Sequence, residues 1–475
     1  MPLPFYLSCA AILIIGCFAW NARRQAWGLP ACMVLATTAV WYVGDMLYNE
    51  SNAYLETIGK PSVVSAWWQV LWFMIAFAAL APTLHRWING RLLGRPSHVM
   101  LYLETQRLRR PDVQHQIDLL GGALLVAWVV LMGIGLLRVK GDAIGLFAPY
   151  LGQKADPWAR GQIGGGFSAF ISLAAYLQIF LAAAFGVLAA VAYNPRTRGM
   201  ALLICFLTLP YFIFDRTRNT MLATLLPGIL AYVLLRLRGG LLMKGALLFG
   251  CFLVINFWFT FVMANRTDQS IAAAFKHGGG GGKEMSETKH EGLNMLEELA
   301  WIDHFMESGA YRPNFGERYF AELANPIPRA IWKNKPTIGL DYAVARGQTA
   351  SASGEVTATI STGMIGQGVV NFGRIFGPLA SATLMALWVA LLARQDLLGS
   401  SPGRLILYGS GLILTFNMGR DITLLVIYPF LFGLGLFWLW QYHVKLNTPQ
   451  SAGQGPRRPD PRRDNRKRSP GLRPR

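Results

Sequence analysis

Charge is scarce in this sequence. Only 15% of its 475 residues are Asp, Glu, Lys or Arg, while 53% are apolar, against roughly 25% charged in soluble domains. That shortage excludes a string of ordinary soluble domains. Cysteine is scarce too: Cys9, Cys17, Cys32, Cys205 and Cys251 all fall inside apolar runs. They are expected as small buried side chains, so neither a disulfide framework nor a zinc site has support. The apolar runs lack period-two alternation, which excludes a transmembrane barrel. No basic segment precedes the first run, Pro4–Trp20, and Arg23 and Arg24 follow it where a cleavage site would need small residues. It reads as a retained helix, not a signal peptide.

What is present is a series of apolar runs about 17 to 25 residues long, enough to cross the hydrocarbon core as helices. The expected fold is an all-α polytopic membrane protein with about eleven transmembrane helices. The spans fall at residues 4–20, 27–47, 64–83, 118–138, 167–193, 200–214, 220–236, 245–264, 375–393, 404–418 and 422–442. The two shortest, 200–214 and 404–418, read as tilted ends of longer elements or as half-helices. The formal charge of +19 then tests the alternation. Arg23/Arg24, the cluster from Arg86 to Arg110, Arg196/Arg198, Arg238/Lys244, Arg394 and the Arg-rich tail all fall on one side. By the positive-inside rule that side is the cytoplasm. The expectation is a bacterial inner-membrane protein with its N-terminus periplasmic and its C-terminus cytoplasmic. Basic clusters beside membrane ends contact anionic lipid, so the charge does not signify nucleic acid.

The chain therefore divides into helices 1–8 (residues 1–264), a large periplasmic loop (265–373), helices 9–11 (374–443) and a basic, Pro-rich tail expected to be disordered (444–475). Five glycines, Gly278–Gly282, open a polar stretch of the loop. Leu293–Ser308 follows as an amphipathic helix, with Glu297, Glu298 and Glu307 expected to face water. A Gly/Ser/Thr-rich stretch, Gly347–Gly373, is too polar to span but suits a re-entrant element lining a cavity.

Arginines gather at the outer helix mouths: Arg216 and Arg218 in Phe214–Asn219 (FDRTRN), Arg420 in Asn417–Asp421 (NMGRD), and Arg312, Arg318, Arg329, Lys333 and Lys335 in the loop. Arginine near hydrocarbon needs an anionic partner, and its planar fork matches phosphate. The competing reading pairs Arg216 with Asp215 and Arg420 with Asp421 as loop-end ion pairs.

The segment Asn325–Pro336, NPIPRAIWKNKP, resembles the P-R-x-x-W-x-x-K-P signature of O-antigen and oligosaccharide repeat-unit polymerases (Wzy-type). The Gly/Ser-rich stretch, Asn371–Gly373 (NFG) before the next helix and the Arg-containing turn at Phe214–Asn219 are similar too, over roughly Thr208–Phe437. Related proteins often carry an acid shortly before the NFG, where this chain has Gln367.

The resemblance implies a GT-C-like membrane glycosyltransferase. On the periplasmic face it would join undecaprenyl-diphosphate-linked oligosaccharides into O-antigen or a related surface polysaccharide, alongside a chain-length regulator. Such chemistry needs a base for the attacking hydroxyl and cations for the leaving diphosphate. The loop has no D-x-D to hold a metal, and no cofactor is implied. Arg216, Arg218 and Arg420, with Arg329 and Lys335, are the candidate diphosphate ligands. His304, Asp303, Glu307 and Glu317 are the candidate bases, His304 because imidazole titrates near neutrality. Trp301, Tyr311, Tyr319 and Trp332 are candidates for stacking on sugars; as loop-core or interface residues they need no such role. An O-antigen ligase-like transferase or a lipid-linked oligosaccharide flippase would share much of this pattern.

Overall fold

A computed structural model describes residues 1–48, 58–105, 107–151, 154–158, 171–214, 218–264, 294–327, 331–336, 339–347, 360–399 and 401–447. Among them there is no strand. The helices used below are α1 (Leu3–Asn21), α2 (Gly28–Thr38, carried on by a π turn, Ala39–Val43, into Gly44–Tyr48), α3 (Lys60–Asn89), α4 (Pro111–Arg138), α5 (Ala174–Val191) and α6 (Pro195–Ile213). They continue with α7 (Arg218–Ala231, ending in a π turn, Tyr232–Arg236), α8 (Leu241–Ala264), α9 (Met295–Glu307), α10 (Glu317–Ala324), α11 (Leu340–Ala345), α12 (Gly363–Leu397), α13 (Pro402–Met418) and α14 (Leu424–Asn447).

Eight of them, α1–α7 and α12, are long and apolar enough to cross a membrane. The chain is thus a helical polytopic membrane protein. The remaining expected spans coincide with α8 and α14, whose apolar stretches are shorter, and with α13, a helix of 17 residues. Residues 200–214 belong to a longer helix, because Asn194 caps it (its side chain accepts from the Arg196 N–H at 3.1 Å) and Pro195 opens it. All five cysteines are free; Cys205 is buried, but Cys17 is exposed on α1, contrary to the expected burial. The chain falls into two units, 1–434 and 435–475. Of the second, the described part is the end of α14, where Trp438 stacks on Tyr442 with ring centroids 6.1 Å apart.

Inside a bilayer helices gain little from apolar burial, so close backbone approach and polar contacts hold them. Gly186 of α5 and Gly228 of α7 do this: a Cβ at Gly228 would lie 2.8 Å from the Gly186 Cα. Trp128 of α4 donates to Thr208 of α6, and Trp388 of α12 to Thr415 of α13, both at 2.9 Å. On α3, Trp67, Val70, Phe73, Met74, Phe77 and Ala81 recur at helical spacing and are buried. This helix packs against α12, α1 and α9.

Of the stretch Gly347–Gly373, expected as a re-entrant element, 348–359 lie outside the described residues, and its end forms the first arm of a helical hairpin. Helix α12 is interrupted at Gly373, whose φ of 77° lies in the left-handed region that side chains disfavour. Its two arms fold back on each other, so that Ser381 Oγ donates to the Met364 carbonyl at 2.7 Å. Gly368 and Gly377 let the arms touch, since a Cβ on Gly368 would run into the Gly377 carbonyl and the Ser381 hydroxyl. We expect Gly368→Ala to destabilise the protein by about 1–3 kcal/mol through overpacking. A lower thermal midpoint in nanodiscs checks this, and an unchanged midpoint contradicts it.

The loop helix observed at Met295–Glu307 matches the expected amphipathic segment, with one correction. Glu297 and Glu298 are buried rather than facing water. Arg346 pairs with Glu298 at 3.3 Å and with Glu297 at 3.8 Å, and Tyr342 donates to Glu298 at 2.6 Å. The first turn of α9 is capped from another helix, as the Leu296 and Glu297 N–H groups donate to Asp45 of α2 at 2.7 and 3.1 Å. That satisfies donors which a helix start otherwise leaves open.

Candidate functional site

A cavity of about 420 Å³ lies where α10, the start of α7 and the α13–α14 turn meet. Its charged and amide lining comes from Asn219, Arg318, Glu322, Asn417, Arg420 and Asp421. The short helix α10 begins after Gly316, whose φ of 95° few side chains adopt, and carries Glu317 in its first turn. Arg318 and Glu322 are four residues apart and so share one face. They are only 5% and 4% exposed.

Arg318 lies 3.8 Å from Asp421. Its Nε and Nη1 donate to no acceptor among the described residues. Glu322 Oε2 and Asn417 Oδ1 are likewise buried without a partner among them. Native proteins satisfy nearly all such groups, and a buried charged donor left open costs several kcal/mol. An orphaned guanidinium edge in a cavity is where an anion or ordered water belongs. The other cavity cation, Arg420, is exposed, and its Nε donates to Ser361 Oγ at 2.9 Å.

Asp421 caps the inner arm of α12 by accepting from the Thr362 N–H at 3.2 Å. It is thus held by Arg318 and a helix start. Burial raises its pKa, while Arg318 and the hydrogen bonds it accepts lower it. Burial also pushes Glu322 up from 4.5 to about 7, with Arg318 pulling down and Asp421 pushing up. A carboxyl poised there is half ionised at neutral pH and can take up or give a proton.

Helix ends beside the two arginine-bearing segments meet. Asn417 donates to the Asn219 carbonyl at 3.1 Å, which brings the end of α13 to the start of α7. Arg218 opens α7 immediately before Asn219, and its side chain lies outside the description. Arg216 and Arg329 lie outside the described residues altogether. Lys335 folds onto its own motif, donating to the Asn325 and Ile327 carbonyls at 3.0 Å each. Trp332 meets the edge of Phe320 at 5.9 Å. The NPIPRAIWKNKP segment thereby braces the end of α10.

Away from the cavity, Asp303 accepts from Gln69 at 2.9 Å and pairs with Arg374, tying α9 to α3 and α12. Burial raises its pKa and Arg374 lowers it. Glu307 is exposed, 4.0 Å from Arg374, and Glu317 is exposed in the first turn of α10. His304 packs edge-on against Trp301 and Phe305. Trp301 carries the Arg346 guanidinium over its ring at 4.4 Å. Tyr311 donates to Asp341 at 2.5 Å, and the Tyr319 N–H to Asn371 at 3.4 Å. None of these candidates is among the cavity's lining residues.

Gln367 accepts from the Ile422 N–H at 2.8 Å and so fixes the turn after Asp421. The chain matches no family, no curated protein and no solved structure in comparisons with known proteins.

Proposed function

We propose that this chain is a membrane glycosyltransferase that polymerises undecaprenyl-diphosphate-linked oligosaccharides on the periplasmic face of the bacterial inner membrane. In this reading α8, α13 and α14 complete eleven crossings of a GT-C-like fold, and the basic segments lie in the cytoplasm. The observation that carries it is the buried Arg318, with two open donors, facing a cavity that also holds Arg420 and Glu322. The cavity's size is that of ordinary small-ligand sites. Arg318 and Arg420, with Arg216 and Arg218 from the adjoining turn, bind the diphosphate of the donor.

Glu322 takes the role of base that the sequence offered to His304, Asp303, Glu307 or Glu317. Its carboxylate accepts the proton of a sugar hydroxyl on one unit. The freed oxygen bonds to the anomeric carbon of the other unit, and the carbon–oxygen bond to the diphosphate breaks. Undecaprenyl diphosphate leaves with that electron pair, its charge held by the guanidinium groups. No metal is required for this balance.

The test supplies purified protein in nanodiscs with an undecaprenyl-diphosphate oligosaccharide. A ladder of products is expected. Transfer of a single unit to an unrelated acceptor would mark a ligase instead. Movement of the lipid across a bilayer without any ladder would mark a transporter and end this proposal.

A further inference from the structure

Helix α10 is built inside out. While Arg318 and Glu322 are buried, Phe320 and Leu323 are 54% and 64% exposed, and Phe315 and Ile331 on either side are 87% and 75% exposed. Facing water, such a row would forfeit roughly 25 cal/mol for every Å² of apolar surface it could bury. Contiguous apolar surface of this kind marks an interaction face.

The surface continues onto helices that cross the membrane. The ring of Trp332 meets Phe320, and Tyr319 packs against Phe372 at 6.1 Å, at the tip of the α12 hairpin. Phe372, Ile375 and Phe376 are exposed there. Trp72 of α3, also exposed, donates its indole N–H to the Ile375 carbonyl at 2.9 Å. Farther along, Asn89 donates to the Ala390 carbonyl at 2.9 Å, so α3 and the outer arm of α12 run parallel. The rise of a helix places Trp72 about 25 Å from Asn89, close to the roughly 30 Å thickness of a hydrocarbon core. With Arg86 and Asn89 at one surface of the bilayer, which shifts the crossing of α3 from the expected 64–83 toward 72–89, Trp72 and Ile375 stand at the other, where indole rings favour the headgroup level.

Charge matches this placement. A shallow groove of about 450 Å³ beside the hairpin tip is lined by Arg312 and Arg374 together with Phe372, Ile375 and Phe376. Arg374 is engaged by Asp303, and Arg312 is exposed. A cation above apolar side chains suits a lipid phosphate above its acyl chains.

We propose that the face formed by α10, residues 325–327 and 331–332 and the tip of the α12 hairpin lies on the bilayer, with Phe315, Phe320, Leu323 and Ile331 immersed at the acyl boundary. This placement does not depend on the reaction assigned to the cavity. It is tested on the unmodified full chain in nanodiscs of phosphatidylcholine and phosphatidylglycerol carrying a phospholipid with a diazirine in its acyl chain. Mass spectrometry should find lipid adducts on residues 315–327 and 331–332; adducts confined to the membrane-crossing helices, with none on those residues, overturn the proposal.

A second measurement places an environment-sensitive fluorophore at Leu323→Cys or Ser308→Cys in a background lacking the native cysteines. A spin-labelled phospholipid should quench the probe at position 323 at least threefold more than at position 308. Equal quenching overturns the proposal. So does a probe at position 323 in apolar surroundings that lipid fails to quench, because another protein surface then covers this face.

Discussion

Replacing Arg318 with alanine is expected to lower kcat/KM for ladder formation by about a thousandfold or more. Two effects act together. The developing charge on the leaving diphosphate loses a preorganised fork of donors, and one such donor is typically worth about 10²–10³ in rate. Asp421 also loses its cationic partner, 3.8 Å away, and breaking a buried pair by removing one member costs about 3–5 kcal/mol. Arg318→Lys separates these effects, since it keeps the charge but not the planar fork. That variant should insert and unfold like the parent while remaining about ten- to a hundredfold slower, in keeping with a lost charge-assisted hydrogen bond. Initial rates over a range of donor concentrations, paired with thermal midpoints, check both. An Arg318→Ala protein at full rate would remove the basis of the diphosphate site.

Glu322→Gln should give the second large effect, and with opposite signs on activity and stability. A base with a pKa of about 7 loses its active form as pH falls. The parent rate should therefore drop tenfold per pH unit below about 7, whereas the glutamine variant should be slower by about 10²–10⁴ and lose that slope. For stability the sign reverses. The folded carboxyl, at about 7, holds a proton between its ordinary 4.5 and 7 that the unfolded chain has already released. Stability accordingly falls as pH rises through that window and levels off above it. The gap corresponds to about 3 kcal/mol. Glutamine carries no such charge, so the variant should be the more stable protein at pH 8 and gain little at pH 4.5. Midpoints of unfolding at both pH values read this directly; an equal gain at the two would show that burial of the charge is not the cause.

These residues explain where sequence reading succeeds and where it stops. The membrane-crossing helices were legible because hydrocarbon demands long uninterrupted apolar runs, as in α3 or α4. The polar Gly-rich stretch next to NFG was legible only as a segment too polar to span. The helical hairpin at its end was not, because the contact of Gly368 with Gly377 joins residues nine apart across a turn. Arg420 came to notice as an arginine in a very short turn, and it lines the cavity.

Arg318 stood among the loop cations with nothing to set it apart, and Glu322 went unnoticed. Both are buried on an eight-residue helix whose two largest aliphatic and aromatic hydrocarbons, Leu323 and Phe320, are exposed, so a rule placing charge outside and carbon inside inverts them. The i, i+4 spacing of Arg318 and Glu322 opposite Phe320 and Leu323 was the available signal. Glu297 and Glu298 misled for a related reason. Their partner Arg346 is some fifty residues away, and no local pattern announces it.

The π turn at Ala39–Val43 carries a mechanical consequence. Such a turn holds one peptide unit more than the α-helix around it, and each unit advances the chain by about 100°. The hydroxyl oxygen of Tyr42, inside the turn, accepts from the Ile365 N–H at 2.9 Å, while Asp45, just past it, accepts from the Leu296 N–H of α9 at 2.7 Å. A one-residue deletion here would leave every neighbouring side chain chemically intact yet swing that carboxylate a quarter-circle aside. The seating of α9 on α2 is thus indexed by a single surplus amino acid, like the offset tooth that fixes the phase between two gears.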